Sequence, residues 1–294
     1  MVSMGVADRR RGIVRIHFTQ GFGNNIFQYV FCRLFASKNL LKLSCSRSLP
    51  IGVKKKKFVS QRGVKTKIIR KISCSDKKVW RKYLKGHWPN DKNYNFIGYF
   101  EDYVLYKPYL KKIRSWFDNV NVGKDPNRHD KDLVLHLRLG NRLVQTAHKK
   151  NLPSIDSYEK VINSFKFDKL YIVTNCRDWR HLSSKDVKKI RRKNPPVRGG
   201  FVSVEKSVAY MNDMVDLMSQ YNFVVRSRLK YIKDFNFIRS FNQIIMTGST
   251  FAWWAAVLGG ANNVAVYGPW KPSRGKKRNK NLGQTNYTGW SQWE

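Results

Sequence analysis

Short β-branched runs alternate with helix-spaced apolar runs along nearly the whole chain, and this alternation restricts the fold more than any other feature. Residues 13–18 (Ile13-Val14-Arg15-Ile16-His17-Phe18) form the first strand-like run. It passes through Gly21-Phe22-Gly23-Asn24-Asn25 into residues 26–40, where Ile26, Phe27, Val30, Phe31, Leu34 and Phe35 recur at helical spacing. Strand, glycine turn and helix are the first half of a βαβ unit. A strand at 96–100 and a helix at 104–116 follow, then residues 119–130, with Gly123, Pro126 and mixed charge, read as a linker. Beyond it the spacing predicts strands at 133–137, 170–174, 223–226, 244–247 and 264–267. They alternate with helices at 155–165, 185–193, 209–221, 231–242 and 249–259. The expected architecture is α/β, with two doubly wound Rossmann-like domains facing one another, residues 1–128 and 129–294. Ligands in such sheets bind outside the carboxyl ends of the strands.

Composition narrows the class. Hydrophobic residues make up 41% of the 294, enough for a sizeable core, so the chain is not a disordered basic tail. No apolar run of about 18 residues is present, and residues 1–11 lack the apolar core of a signal peptide, so a soluble cytoplasmic protein is expected. Cys32, Cys45, Cys74 and Cys176 match no paired zinc or redox spacing and read as reduced thiols. The net charge of +39 attracts polyanions such as nucleic acid, acidic membrane faces or phosphorylated molecules, and charge alone does not choose among them. The cations cluster at 51–86, 188–193 and 271–280. No RNA-recognition, zinc-finger or helix-turn-helix signature accompanies them, so specific nucleic-acid readout is not expected. Nonspecific, salt-dependent polyanion binding, or weak association with acidic surfaces, remains a reading of a different class.

Three segments carry chemistry. The glycines of the first loop let the backbone approach a ligand at a helix N-terminus, although an ordinary tight turn reads the same way. The run His136-Leu137-Arg138-Leu139-Gly140-Asn141 ends a strand, and alternation puts His136 and Arg138 on one face. Arg138 has the planar fork that grips phosphate, while a core histidine beside a solvated arginine is the plainer alternative. In Gly248-Ser249-Thr250-Phe251-Ala252-Trp253-Trp254-Ala255-Ala256 a strand meets a helix whose start, with Ser249 as N-cap, would bind an anion. The two tryptophans read as packing residues.

These segments, with Phe27-Gln28-Tyr29 and Gly98-Tyr99-Phe100, resemble in order and rough spacing the family-11 glycosyltransferases, the α-1,2-fucosyltransferases. Weaker echoes are Leu152-Pro153 before Tyr158, the strand ending in Thr174-Asn175, and Lys233-Asp234-Phe235. The likeness spans about residues 13–269. It implies a GT-B fold, two Rossmann-like domains across a cleft, with the first on the acceptor side and the second binding the nucleotide sugar. It implies inverting, metal-independent transfer from GDP-fucose to a glycan hydroxyl, with no cofactor beyond that donor. By the same resemblance Arg138 would contact the donor diphosphate, Ser249 and Thr250 likewise, His136 would lie near the nucleoside, and Asp234 would read guanine. Gly23, Thr174, Asn175 and Phe251 fall in the same motifs and are expected at the donor, and Asn24 is expected in catalysis.

The chain also departs from the family pattern. Leu139 replaces the second Arg of the pair and is expected to face the interior. Asn141 replaces an Asp, which opens the alternative of another donor, for example a UDP-sugar such as UDP-xylose. The only Asp-x-Asp, Asp130-Lys131-Asp132, precedes its strand and reads as solvated linker rather than a metal site. Candidate bases are Glu101, Asp102, Asp156 and His17, with no choice among them at this level.

Overall fold

In the computed structural model the described residues are 12–19, 21–58, 65–70, 77–101, 103–117, 129–146, 152–176, 182–196, 199–226, 230–267 and 290–293. The chain divides into two compact units, Met1–Val122 with Lys277–Gly283 and Gly123–Lys276 with Gln284–Glu294.

The first unit contains β1 (Ile13–Ile16), α1 (Phe22–Lys38), β2 (Lys42–Cys45), β3 (Thr66–Arg70), α2 (Lys77–Lys85) and β4 (Asn93–Ile97). Two short helices follow, α3 (Tyr103–Tyr106) and α4 (Leu110–Ser115). Its four strands pair in parallel in the order β2-β1-β4-β3. Helix α1 buries Phe31 and Phe35 against this sheet, where the Phe35 ring meets Phe96 edge-on at 4.8 Å. The Phe31 ring stacks on Phe100 at 4.3 Å. Phe100 takes φ 55, a left-handed conformation costly for a bulky residue, just beyond the carboxyl end of β4.

The second unit runs β5 (His129–Leu137), α5 (Gly140–Val144), α6 (Ile155–Asn163), β6 (Leu170–Thr174), α7 (Ser184–Lys193) and α8 (Val204–Ser219). It continues through β7 (Phe223–Arg226), α9 (Tyr231–Arg239), β8 (Phe241–Met246), α10 (Thr250–Gly259), β9 (Asn263–Tyr267) and β10 (Ser291–Trp293). All six strands are parallel, in the order β7-β6-β5-β8-β9-β10. Counted along the chain this is 3-2-1-4-5-6, the doubly wound dinucleotide-binding order. Strand order reverses between β5 and β8, so the crevice for a ligand opens where those two strands end. Leu133 to Leu135 and Ile244 to Met246 are fully buried, as expected of central parallel strands covered on both faces. Helix α10 is apolar all round and buries both Trp253 and Trp254, whose rings meet edge-on at 4.9 Å.

The α/β class with parallel sheets agrees with the expectation from sequence. Several details differ. The glycine run is not a loop: only Gly21, at φ 94, lies outside the helix, and Gly23, Asn24 and Asn25 form its first turn. One residue with positive φ is enough to turn the chain, so the helix begins four residues earlier than its apolar spacing suggests. The helix expected at 104–116 is interrupted by a 3-10 turn, Lys107–Tyr109, because Pro108 cannot donate a backbone hydrogen bond. Asp130-Lys131-Asp132 is the start of β5 rather than linker, with Asp132 accepting from His129 Nδ1 at 2.8 Å. The helix expected at 231–242 stops at Arg239, and Phe241 already belongs to β8. Strands β2, β3 and β10 carry too few apolar residues to be visible as runs. Cys32, Cys45 and Cys176 are buried free thiols, and Cys74 lies outside the described residues. Among the described residues no helix is long and apolar enough to cross a membrane.

Gly259 sits where α10 meets the end of α9. A Cβ there would overlap the Arg239 carbonyl oxygen, which is backbone and cannot step aside. Gly259→Ala should therefore cost about 1–3 kcal/mol of stability, the usual penalty for overpacking, read as a lowered midpoint in thermal or urea unfolding.

Candidate functional site

The carboxyl ends of β5 and β8 are tied together by the residues that follow them. Thr247 Oγ1 donates to the His136 carbonyl at 3.3 Å and accepts from the Arg138 amide at 3.3 Å. From α5, Arg142 reaches across the same gap. Its Nη1 donates to the Thr247 carbonyl at 2.5 Å and its Nη2 to the Gly248 carbonyl at 2.7 Å. Arg142 is only 8% exposed, so these bonds are made by a charge withdrawn from water. From the other side, Asn175 at the end of β6 accepts from the Leu139 amide at 2.9 Å. The turn after β5 is thus fixed by both neighbouring strands.

This bracing leaves Arg138 as the exposed cation of the crevice, directly after the buried Leu137 and before the buried Leu139. Leu139 faces the interior, as alternation from Arg138 requires. Opposite stands the start of α10. Ser249 occupies the N-cap position, but its side chain makes no capping bond. The start of α10 is therefore not capped by Ser249, and a helix N-terminus favours an anion. His136 is buried at the same crevice, with its ring stacked on Phe251 at 5.8 Å. Its Nδ1 has no hydrogen-bond partner. Burial, reinforced by Arg138 and Arg142, holds its pKa down to about 3, so the imidazole is neutral at any working pH. Burial, and then Arg138, lower Arg142 to about 10, a sign that the two guanidinium groups repel. A bound anion would relieve that repulsion.

Asp234 lies in the first turn of α9. Its neighbour Phe235 meets Phe251 edge-on at 5.3 Å, which brings the start of α9 beside the start of α10. Asp234 is half-buried, its Oδ1 has no partner, and burial pushes its carboxyl up to about 6, against the opposing pull of Arg226. His136, Arg138, Ser249, Thr250 and Phe251 thus gather at one crevice, with Asp234 on the adjoining helix. At the end of β6, Thr174 and Asn175 each accept one backbone hydrogen bond. Thr174 is buried with its hydroxyl accepting from the Cys176 amide at 3.1 Å, and the exposed Asn175 accepts from the Leu139 amide through Oδ1, leaving its amide group on the surface. Asp156 is exposed on the first turn of α6, whose cap is Ser154, bonded to the Ser157 amide.

The first unit has its own bracing at its strand ends. Gln28, fully buried on α1, accepts from the Thr19 amide at 3.1 Å and donates to the Gly98 carbonyl at 2.8 Å. It joins the exits of β1 and β4. Asn25 is buried with Oδ1 unpartnered, Asn24 is half-buried beside it, and Gly23 is buried in the same helical turn. His17 is exposed at the exit of β1, its Nε2 in close contact with Asn95 Oδ1 on β4. Glu101 is half-buried after the β4 exit, and Asp102 lies outside the described residues. Among the described residues no group of three His, Cys, Asp or Glu side chains is placed to hold a metal ion.

Arg142 and Thr247 went unrecognised in the sequence, and Gln28 appears there only as part of a motif, without its bracing role. A lone arginine four positions after Arg138 reads as a solvated helix face, and the Phe27-Gln28-Tyr29 motif does not say which strand ends its glutamine joins. Only the pairing of β5 with β8 reveals what Arg142 spans.

A sequence model of the family described as Glycosyl transferase family 11 matches residues 11–291. No curated protein gives a match. Among solved structures, a mutant of Arabidopsis thaliana FUT1 in complex with GDP is similar at a TM-score of 0.44 and 11% identity, over 90% of this chain and 71% of that one. NodZ α-1,6-fucosyltransferase soaked with GDP-fucose is similar at a TM-score of 0.39 and 9% identity, over 84% of this chain and 92% of that one.

Arg142→Lys leaves a single ammonium to serve two carbonyls. The variant should lose about 1–3 kcal/mol of unfolding free energy, and it should bind inorganic pyrophosphate more weakly than the parent in a calorimetric titration. Unchanged pyrophosphate affinity would show that the clamp does not shape the anion site.

Proposed function

We propose, from the premise that the chain belongs to glycosyl transferase family 11 and is a glycosyltransferase, that it moves L-fucose from GDP-fucose onto a glycan hydroxyl. The transfer proceeds with inversion and without a required metal. The observation that carries this reading is the gathering of Arg138, His136 and the N-terminus of α10 at the point where strand order reverses.

Breaking the sugar–phosphate bond puts negative charge on the departing GDP. Arg138 and the first-turn amides of α10 supply fixed positive potential there, which lowers the barrier because the dipoles are already oriented. Arg142 adds charge beneath them without touching the ligand. The neutral His136 offers a ring nitrogen to the nucleoside rather than a competing cation. Asp234 suits guanine, whose Watson–Crick edge offers two N–H donors to one carboxylate.

The acceptor belongs with the first unit. There His17 has the chemistry of a general base: with Nε2 engaged by Asn95, Nδ1 is the nitrogen able to take a proton. Asn24, in the first turn of α1, would hold the acceptor hydroxyl. Glu101 is the alternative proton acceptor on the same unit.

Arg138→Ala should reduce kcat by about 100- to 1,000-fold in an assay with GDP-fucose and acceptor, the range for losing one preorganised charge stabiliser. Wild-type-like kinetics would remove Arg138 from the site. GDP at ~100 times its Kd should stabilise the protein by about 2.7 kcal/mol in a thermal shift experiment, and UDP by less. Equal stabilisation by UDP would favour a UDP-sugar donor, the reading that Asn141 keeps open.

The Asp234 carboxyl, at about 6, must be ionised to accept from guanine. GDP affinity should thus rise from pH 5 to pH 7 and level off above, with a slope approaching about tenfold per pH unit below the pKa. Asp234→Asn should flatten this profile to whatever the GDP phosphate itself contributes, as read by titration at each pH.

A further inference from the structure

Between Asp8 and Asp76 the chain carries 17 Lys and Arg and not one Asp or Glu. The densest part, Lys54-Lys55-Lys56-Lys57, is not used by the donor site, which lies in the other unit. Its location is specific. Cys45 ends β2, and its amide donates to the Lys56 carbonyl at 2.7 Å while the Lys56 amide donates back at 3.2 Å. Inside this return, Leu49 pairs with Val53, and the Lys55 amide donates to Ser48 Oγ at 2.9 Å. Leu49, Ile51 and Val53 are buried and anchor the segment. All four lysines remain exposed. The run is therefore an ordered element at the carboxyl end of β2, not a solvated tail.

Arg47 extends the same surface to the exit of β1. Its Nη2 donates to the Thr19 carbonyl at 2.8 Å, and its guanidinium lies over the Phe18 ring at 5.2 Å. Lys56 Nζ lies 5.0 Å from the Phe58 ring. Five exposed cations thus share, with His17, the strand ends at which a doubly wound sheet receives its ligand. Crowding like charges on a fixed loop is unfavourable in the empty protein, and an anionic ligand offsets it.

We infer that the acceptor is an anionic saccharide, whose acid groups are held by Arg47 and Lys54–Lys57 at the carboxyl edge of β1 and β2. The inference rests on the reading that this unit receives the acceptor. A saccharide is favoured over nucleic acid because the transferred sugar needs a glycan hydroxyl beside His17, and the chain carries no nucleic-acid readout motif.

The test is binding of four probes to the whole protein: hexagalacturonate, sulfated maltohexaose, neutral maltohexaose and a DNA hairpin of matched charge. Three proteins are compared, wild type, K54Q/K55Q/K56Q/K57Q, and K185Q/K188Q/K189Q/R192Q on α7. The last removes the same number of exposed cations from the other unit. An acidic hexasaccharide should bind wild type more tightly than neutral maltohexaose. That affinity should fall about tenfold or more in the Lys54–Lys57 variant, as four exposed charge contacts would supply, and less than about twofold in the α7 variant. Whether carboxylate or sulfate is preferred follows from the first two probes.

Equal loss in both variants would mean diffuse attraction to a basic surface and would overturn the inference. So would maltohexaose binding as tightly as the acidic sugars, or DNA binding more tightly than either with the same dependence on Lys54–Lys57. GDP binding, followed in the same proteins, reports on folding and on the donor reading separately. Its absence in wild type would count against GDP as the donor nucleotide and leave the saccharide result standing on its own.

Discussion

The second unit depends on one buried guanidinium spanning two strand ends. Arg142 turns the carbonyl oxygens of Thr247 and Gly248 toward itself, so the chain leaves β8 with its acceptors pointing inward and enters α10 with its amides at the crevice. Were those carbonyls directed outward, the crevice would present partial negative charge to an anion. The burial of Arg142 would be costly if the charge were unsatisfied. Two carbonyls answer part of that cost, and Tyr158, Tyr210 and Tyr267 raise its pKa against the effects of burial and Arg138. The same charge acts at a distance on His136, helping to keep the ring neutral. One side chain thus sets both the shape and the electrostatics of the site.

The first unit achieves the equivalent join with a neutral group. Gln28 ties the exits of β1 and β4 through an amide that donates and accepts at once. A neutral clamp leaves the charge at those strand ends to exposed residues, Arg47 and the lysine run, whereas the second unit builds charge into its frame. The two units share a parallel-sheet plan and place opposite demands on their clamps. The contrast supports the proposed division between a nucleoside diphosphate, which needs fixed positive potential, and an acceptor, which needs a proton taken from a hydroxyl.

The +39 charge reads differently once the residues are placed. At the second unit's crevice the cations are the exposed Arg138 and the buried Arg142. The tetralysine run, which looks like an ordinary surface cluster in the sequence, is held by backbone pairing with the last residue of β2. Placement separates a cation with a structural address from one that is merely exposed. On α7, Lys185, Lys188, Lys189 and Arg192 are exposed on a helix that a Ser183–Asp186 capping box stabilises on its own.

The sequence by itself determined the α/β class and most of the central strands and helices, and it singled out His136, Arg138 and Ser249, which the fold brings to neighbouring strand ends. Those features are local: periodicity and motif order are written in neighbouring residues. Edge strands β2, β3 and β10 escaped because a partly exposed strand needs few apolar residues. The start of α1 escaped because a single positive φ at Gly21 decides it. Only the tertiary structure decided the strand order 3-2-1-4-5-6, the span of Arg142 across two strand ends, and the backbone bonds that Thr174 and Asn175 accept. The physical reason is distance along the chain. Arg142 and Thr247 are separated by 105 residues and meet only because β5 and β8 pair, and no local pattern records which strand will lie beside which.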